Sequence, residues 1–198
     1  MLFDAWRFIL AGALGSSFWF SANARAVTLE NLRHDPALSP RNFAQYFANF
    51  RFCFHAEVQS PQIFLSTQSG DCDDYATLAA TVLKEKGFTP RLLSVRMKRE
   101  VHVICYIEEA RAYLDYNKRN CRDGLVSCGH SLSEIADVVS ASFCVPWSSI
   151  SEFTFRDGSK RLVQTTLPEN AGSLPQTANA KQRGTSWTVA GTPSRTRR

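Results

Sequence analysis

Apolar residues recur along this chain with two periods, and the switches between them mark the elements. In "SPRNFAQYFANF", residues 39–50, Phe43, Tyr46, Phe47 and Phe50 fall at i, i+3, i+4 and i+7, one stripe of a helix. Ser39 suits its N-cap and Pro40 its first position. In "GDCDDYATLAATVLKEKGF", residues 70–88, Tyr75, Leu78, Ala79, Val82 and Leu83 form a second stripe. Asp71 is placed to cap that helix with Asp74 three residues on, Lys84 and Lys86 favour its C-terminal end, and Gly87 ends it. Between the two helices "RFCFHAEV" alternates and predicts a short strand or extended link. Its His55 could serve as a second catalytic or metal-binding histidine, but no partner motif lies nearby in the sequence and it is read as structural.

Period two then takes over. "RLLSVRMK", "VHVICYI" and "AYLDY" alternate, are rich in branched and aromatic residues, and predict three strands. "SLSEIADVVSASF" predicts a short helix with Ser131 and Glu134 as a capping box. "ISEFTFRDGSKRLVQTTL" predicts a hairpin turning at Asp157–Gly158.

Charge refines the boundaries. The net +5 is uneven. Residues 1–26 hold Asp4, Arg7 and Arg25; residues 168–198 hold Glu169 against Lys181, Arg183, Arg195, Arg197 and Arg198. The remaining body is neutral, which gives no reason to expect a nucleic-acid partner. The segment 168–198 lacks apolar periodicity, is rich in Pro, Gly, Ser, Thr and Asn, and is expected to be disordered. The run Phe8–Phe20, followed by "SANARA", resembles a secretory signal with cleavage after Ala24 or Ala26. That places the mature domain at residues 27–167, secreted or periplasmic, with no stable membrane span after cleavage. Six cysteines suit an oxidising compartment. Cys121 and Cys128, in a turn-rich segment, are a candidate disulfide; with His130 they supply only three ligands, at a spacing that matches no common zinc pattern. No metal site is assigned. Cys53, Cys105 and Cys144 lie among apolar residues and are expected to be buried.

The remaining cysteine, Cys72, opens the second helix between acidic neighbours. Nearby acids raise a thiol's pKa, whereas a helix N-terminus and an imidazolium lower it by several units. His102 on one predicted strand and Asp115 on the next could supply that imidazolium and orient it. Opposed residues of an antiparallel pair share a face, so a pairing such as Ile107 with Ala110 sets His102 against Asp115. One residue of slip would separate them. The backbone N–H of Cys72 could then help bind an oxyanion.

"GDCDDYATLAATVLKEKGF", then "HV" opening a strand, then "YLDY" on the following one, resembles the transglutaminase-like cysteine peptidase superfamily, its bacterial secreted members in particular. "QSPQIFL" at 59–65 is similar to their lead-in segment, and the resemblance covers Gln59 to Asn117. It implies a papain-like, transglutaminase-like α+β fold with the nucleophile helix packed on an antiparallel sheet. It also implies a Cys-His-Asp triad, mapped onto Cys72, His102 and Asp115. Two features depart from the pattern. Val103 stands where many members begin an Ala-Trp pair. No side-chain oxyanion donor is evident either, Gln68 and Gln62 being the candidates. The expected activity is thiol-dependent hydrolysis of a protein or peptide amide through a thioester, with no cofactor. Acyl transfer is the alternative, as are a non-catalytic binding domain on the same fold and an adaptor with Cys72 in a disulfide.

Overall fold

The computed structural model describes residues 27–121 and 124–169. The signal expected at 1–26 and the tail from residue 170 onward lie outside the described residues. The chain opens with α1 (Leu29–His34) and α2 (Pro40–Phe43), then β1 (Arg51–Phe52), α3 (Pro61–Thr67), β2 (Ser69–Gly70) and α4 (Cys72–Glu85). Three strands follow, β3 (Pro90–Met97), β4 (Val101–Ile107) and β5 (Ala112–Leu114). Then come β6 (Leu125–Ser127), α5 (Leu132–Phe143), β7 (Trp147–Arg156) and β8 (Ser159–Thr166). Among the described residues no helix is long and apolar enough to cross a membrane.

The aromatic stripe does not continue as one α-helix. After Phe43 the chain tightens into a 3-10 turn, Ala44–Phe47. The tighter winding swings Phe47 into a ring cluster. Its centroid lies 4.8 Å from Phe43, 5.2 Å from Tyr75 and 5.9 Å from Phe64, and Phe50 packs edge-on at 5.0 Å. Tertiary aromatic packing outweighs helical continuity here, since each such pair adds about 1 kcal/mol beyond burial. Phe43, Phe47 and Phe50 are buried. Tyr46 turns partly outward and donates its hydroxyl to Asp35.

The core element is a six-stranded antiparallel sheet in the order β6-β5-β4-β3-β7-β8. Alternation along β3 and β4 divides its side chains between two faces, and a helix covers each. Leu92, Val103, Cys105 and Leu114 meet Leu78, Val82 and Leu83 of α4. Leu93, Val95, Ile104, Tyr106 and Tyr113 meet Ile135, Ala136 and Val139 of α5. The β7–β8 hairpin turns through Asp157 and Gly158 with φ of 53° and 73°, the double positive φ that Asp-Gly tolerates.

The cysteines differ from expectation. Only Cys105 of the three expected to be buried is so; Cys53 and Cys144 are exposed, the latter because it ends α5 at φ 54°. Cys121 and Cys128 are free thiols, as are the other four. With His130 they form no metal-ligand cluster among the described residues.

Candidate active site

Cys72 is the first residue of α4 and half-buried. The helix start is fixed by a reciprocal cap. Asp71 Oδ1 accepts from the Asp73 N–H (3.2 Å), and Asp74 Oδ2 accepts from the Asp71 N–H (3.1 Å). Gly70 makes this turn possible by close approach. A Cβ there would lie 2.5 Å from Asp74 Oδ2 and 2.6 Å from the Phe64 ring. Asp71 and Asp74 therefore cap as expected, but none of the three aspartates turns freely to solvent. Asp71 and Asp74 are buried, and burial together with its acidic neighbours pushes the Asp73 carboxyl up to about 8.

His102 lies near the open end of β4. Its Nε2 donates to Asp115 Oδ1 at 2.9 Å, with both side chains buried, and the ring packs on Phe143 of α5 at 4.9 Å between centroids. Burial by itself would lower the imidazole. Hydrogen bonds to Asp115 and to Cys72 overcome it, and the imidazole is pushed up to about 10. With Nε2 committed to Asp115, Nδ1 is the nitrogen left for Cys72.

The pairing that achieves this differs from the expected register. Ile107 stands opposite Ala112, not Ala110, because the loop spans Glu108 to Arg111, with Arg111 at φ 44°. A two-residue change preserves the face, so His102 and Asp115 still point the same way, now as a diagonal pair. Asp115 has also left the strand. It caps a 3-10 turn, Tyr116–Lys118, and its Oδ1 accepts a second bond from the Asn117 N–H at 2.8 Å. The Tyr116 hydroxyl donates to Arg51 O, and Arg119 donates to Phe50 O while stacking 4.0 Å over Tyr116, pinning that turn to the segment before Cys72.

Cys72, His102, Asp71, Asp73 and His55 line one cavity of about 630 Å³. Five phenylalanines share its wall: Phe52, Phe54, Phe143, Phe153 and Phe155. Lys160 of β8 lines the same cavity, its ammonium 3.8 Å over the Phe153 ring and lowered in pKa by burial. Neither Phe143 nor Lys160 carries a local sequence signal. Lys160 arrives through the pairing Phe155–Lys160 in the last hairpin. Gln62 and Gln68, the sequence candidates for an oxyanion donor, are exposed and line no part of this cavity. Gln62 lies on the outer side of α3, whose inner side is Phe64 and Leu65. Gln68 ends that helix at φ 50° and contributes its carbonyl, not its amide, to Arg51 N.

A family profile described as a transglutaminase-like domain matches residues 26–124, half of the 198-residue chain. The chain belongs to the transglutaminase-like family. No curated protein and no solved structure matches it. The matched segment of this transglutaminase-like domain contains Cys72, His102 and Asp115. It ends before α5, β7 and β8, so the cavity wall that holds Phe143, Phe153, Phe155 and Lys160 is built by chain beyond the match.

Ligand atoms of His55, Asp71 and Asp74 also lie within 4.8 Å of one another. All four carboxylate oxygens there already accept internal donors. Asp71 takes the Asp73 and His55 N–H groups; Asp74 takes Gln59 N, Gln59 Nε2 and Asp71 N. The cluster is a capping network, and a cation would have to displace those donors.

Proposed function

We propose that this transglutaminase-like domain is a thiol-dependent amide or peptide hydrolase working through Cys72, His102 and Asp115. The observation that carries the reading is the imidazole of His102. It is hydrogen-bonded to Asp115 at 2.9 Å and held well above its ordinary pKa by that bond and by Cys72. A raised imidazole beside a thiol at a helix N-terminus favours the thiolate–imidazolium pair.

In the reaction the Cys72 sulfur attacks the substrate carbonyl carbon, a C–S bond forms, and the carbonyl electron pair moves onto oxygen. The Cys72 backbone N–H, in the first turn of α4, is the backbone donor proposed for that oxyanion. When the electron pair returns, the C–N bond breaks, and His102 gives its proton to the departing amine. Water then attacks the thioester. The now neutral imidazole takes the water's proton, the carboxylic acid leaves, and the thiolate–imidazolium pair is restored. Asp115 orients the ring and balances its charge throughout. Water is the default acceptor for the thioester, which favours hydrolysis over transfer. The substrate is a protein or peptide amide, and the apolar run at Phe8–Phe20 supports export to the periplasm or beyond.

Selective alkylation by iodoacetamide, located by peptide mapping, tests the reading. Preferential labelling of Cys72 over the five other free thiols at neutral pH is expected. Labelling no faster than that of the exposed Cys53 or Cys121 would end it.

A further inference from the structure

A carbonyl attacked at Cys72 develops a negative oxygen, and one backbone N–H rarely suffices to hold it. The two glutamines that the sequence offers for a second donor face solvent away from the cavity. His55 does line it.

His55 is fixed there from three sides. The short parallel pairing of β1 with β2 continues beyond the strands through Cys53 N donating to Gly70 O at 2.8 Å, which lays residues 51–55 alongside the approach to Cys72. The His55 backbone N–H then donates to Asp71 Oδ2 at 2.9 Å, and Asp71 is the residue just before Cys72. The ring is set by Gln59, whose Nε2 lies 3.1 Å from His55 Nδ1.

That last contact decides the tautomer. Gln59 Nε2 also meets Ser69 O at 3.0 Å and Asp74 Oδ2 at 2.7 Å, both acceptors only, so this corner of the amide is its NH₂ group. Its two hydrogens are shared among three acceptors, but an amide nitrogen cannot accept, so a hydrogen on Nδ1 would find no acceptor there and the ring proton sits on Nε2. Among the described residues Nε2 has no hydrogen-bond partner, and the side chain is 35% exposed, on the cavity side. The result is a positioned N–H donor with a free hydrogen, in the wall of the cavity that Cys72 also lines.

We propose that His55 Nε2–H is the side-chain half of the oxyanion hole. This rests on Cys72 being the nucleophile. It makes His55 a catalytic residue that touches the reacting oxygen, with Gln59 as the positioning residue that fixes its tautomer.

Two reactions of the same sulfur separate this role from a structural one. Acylation by p-nitrophenyl acetate passes through a tetrahedral oxyanion: the C–S bond forms, then p-nitrophenolate leaves. Alkylation by iodoacetamide displaces iodide at a saturated carbon and forms no oxyanion. In the full chain, His55→Ala is expected to slow acylation of Cys72 by roughly 100-fold, the loss typical of one oxyanion donor. Its alkylation rate and thermal midpoint are expected to stay at the wild-type values. Should His55→Ala not fold, His55→Phe fills the space without a donor and is expected to give the same split. Acylation at the wild-type rate in a folded variant overturns the proposal. So does a fall in alkylation that matches the fall in acylation, because His55 would then act on the sulfur and not on the oxyanion. Failure of wild-type Cys72 to alkylate selectively is a different result and removes the nucleophile itself.

Discussion

Replacing Asp115 by Asn tests how the imidazole is held. The variant keeps the side-chain volume and an oxygen for the Asn117 N–H, but removes the negative charge 2.9 Å from His102 Nε2. In the folded protein the imidazole rises from 6.5 to about 10 although burial pulls it down, and Asp115 and Cys72 supply the rise. A hydrogen bond to a charged group is worth about 1.5–3 kcal/mol, so losing the Asp115 carboxylate gives back roughly one to two pH units of that rise at roughly 1.4 kcal/mol per unit. The ratio of thiolate–imidazolium to thiol–imidazole then drops by roughly 10- to 100-fold in Asp115→Asn. The sign of the stability effect follows. A folded imidazole raised above its unfolded value stabilises the fold fully below about 6.5, and that stabilisation is lost as pH rises through about 10. The wild type is expected to lose stability between pH 7 and 10, and the variant at lower pH. The assay is the iodoacetamide labelling rate at Cys72 from pH 6 to 9, with the thermal midpoint as the control for folding. Labelling at pH 7 is expected to slow by up to roughly 100-fold. An unchanged rate in a folded variant would refute the coupling of Asp115 to the sulfur through His102.

Three further outcomes are expected. Asp73 is held protonated up to about 8 against an ordinary 3.8, so the stability it contributes is lost as pH rises across that window; Asp73→Asn flattens the fall, read as thermal midpoint against pH. Phe47→Ala empties a site ringed by Phe43, Phe50, Phe64 and Tyr75 and costs about 3–5 kcal/mol in urea unfolding. Gly70→Ala drives a methyl into Asp74 and the Phe64 ring and costs roughly 1–3 kcal/mol by the same measurement, with slower Cys72 labelling because the cap of α4 shifts.

Local chemistry made much of this protein readable along the chain. Asp71, Cys72 and Gly87 mark the ends of α4, because capping and positive φ are properties of a few adjacent residues. Asp157–Gly158 marks its hairpin for the same reason, as do Ser131 and Glu134 the start of α5. Strand alternation gave the condition for His102 and Asp115 to share a face, an even change of register, but not the register itself. What depended on sequence-distant contacts was decided only by the tertiary structure. The Ile107–Ala112 pairing came from a four-residue loop whose Arg111 adopts positive φ. The cavity wall of Phe143, Phe153, Phe155 and Lys160 came from elements far along the chain. His55 had no partner within its own segment, and its partners Gln59, Asp71 and Asp74 became visible only when β1 paired with β2. Desolvation and hydrogen-bond partnership depend on what the folded chain brings together, so no window of sequence could have assigned them.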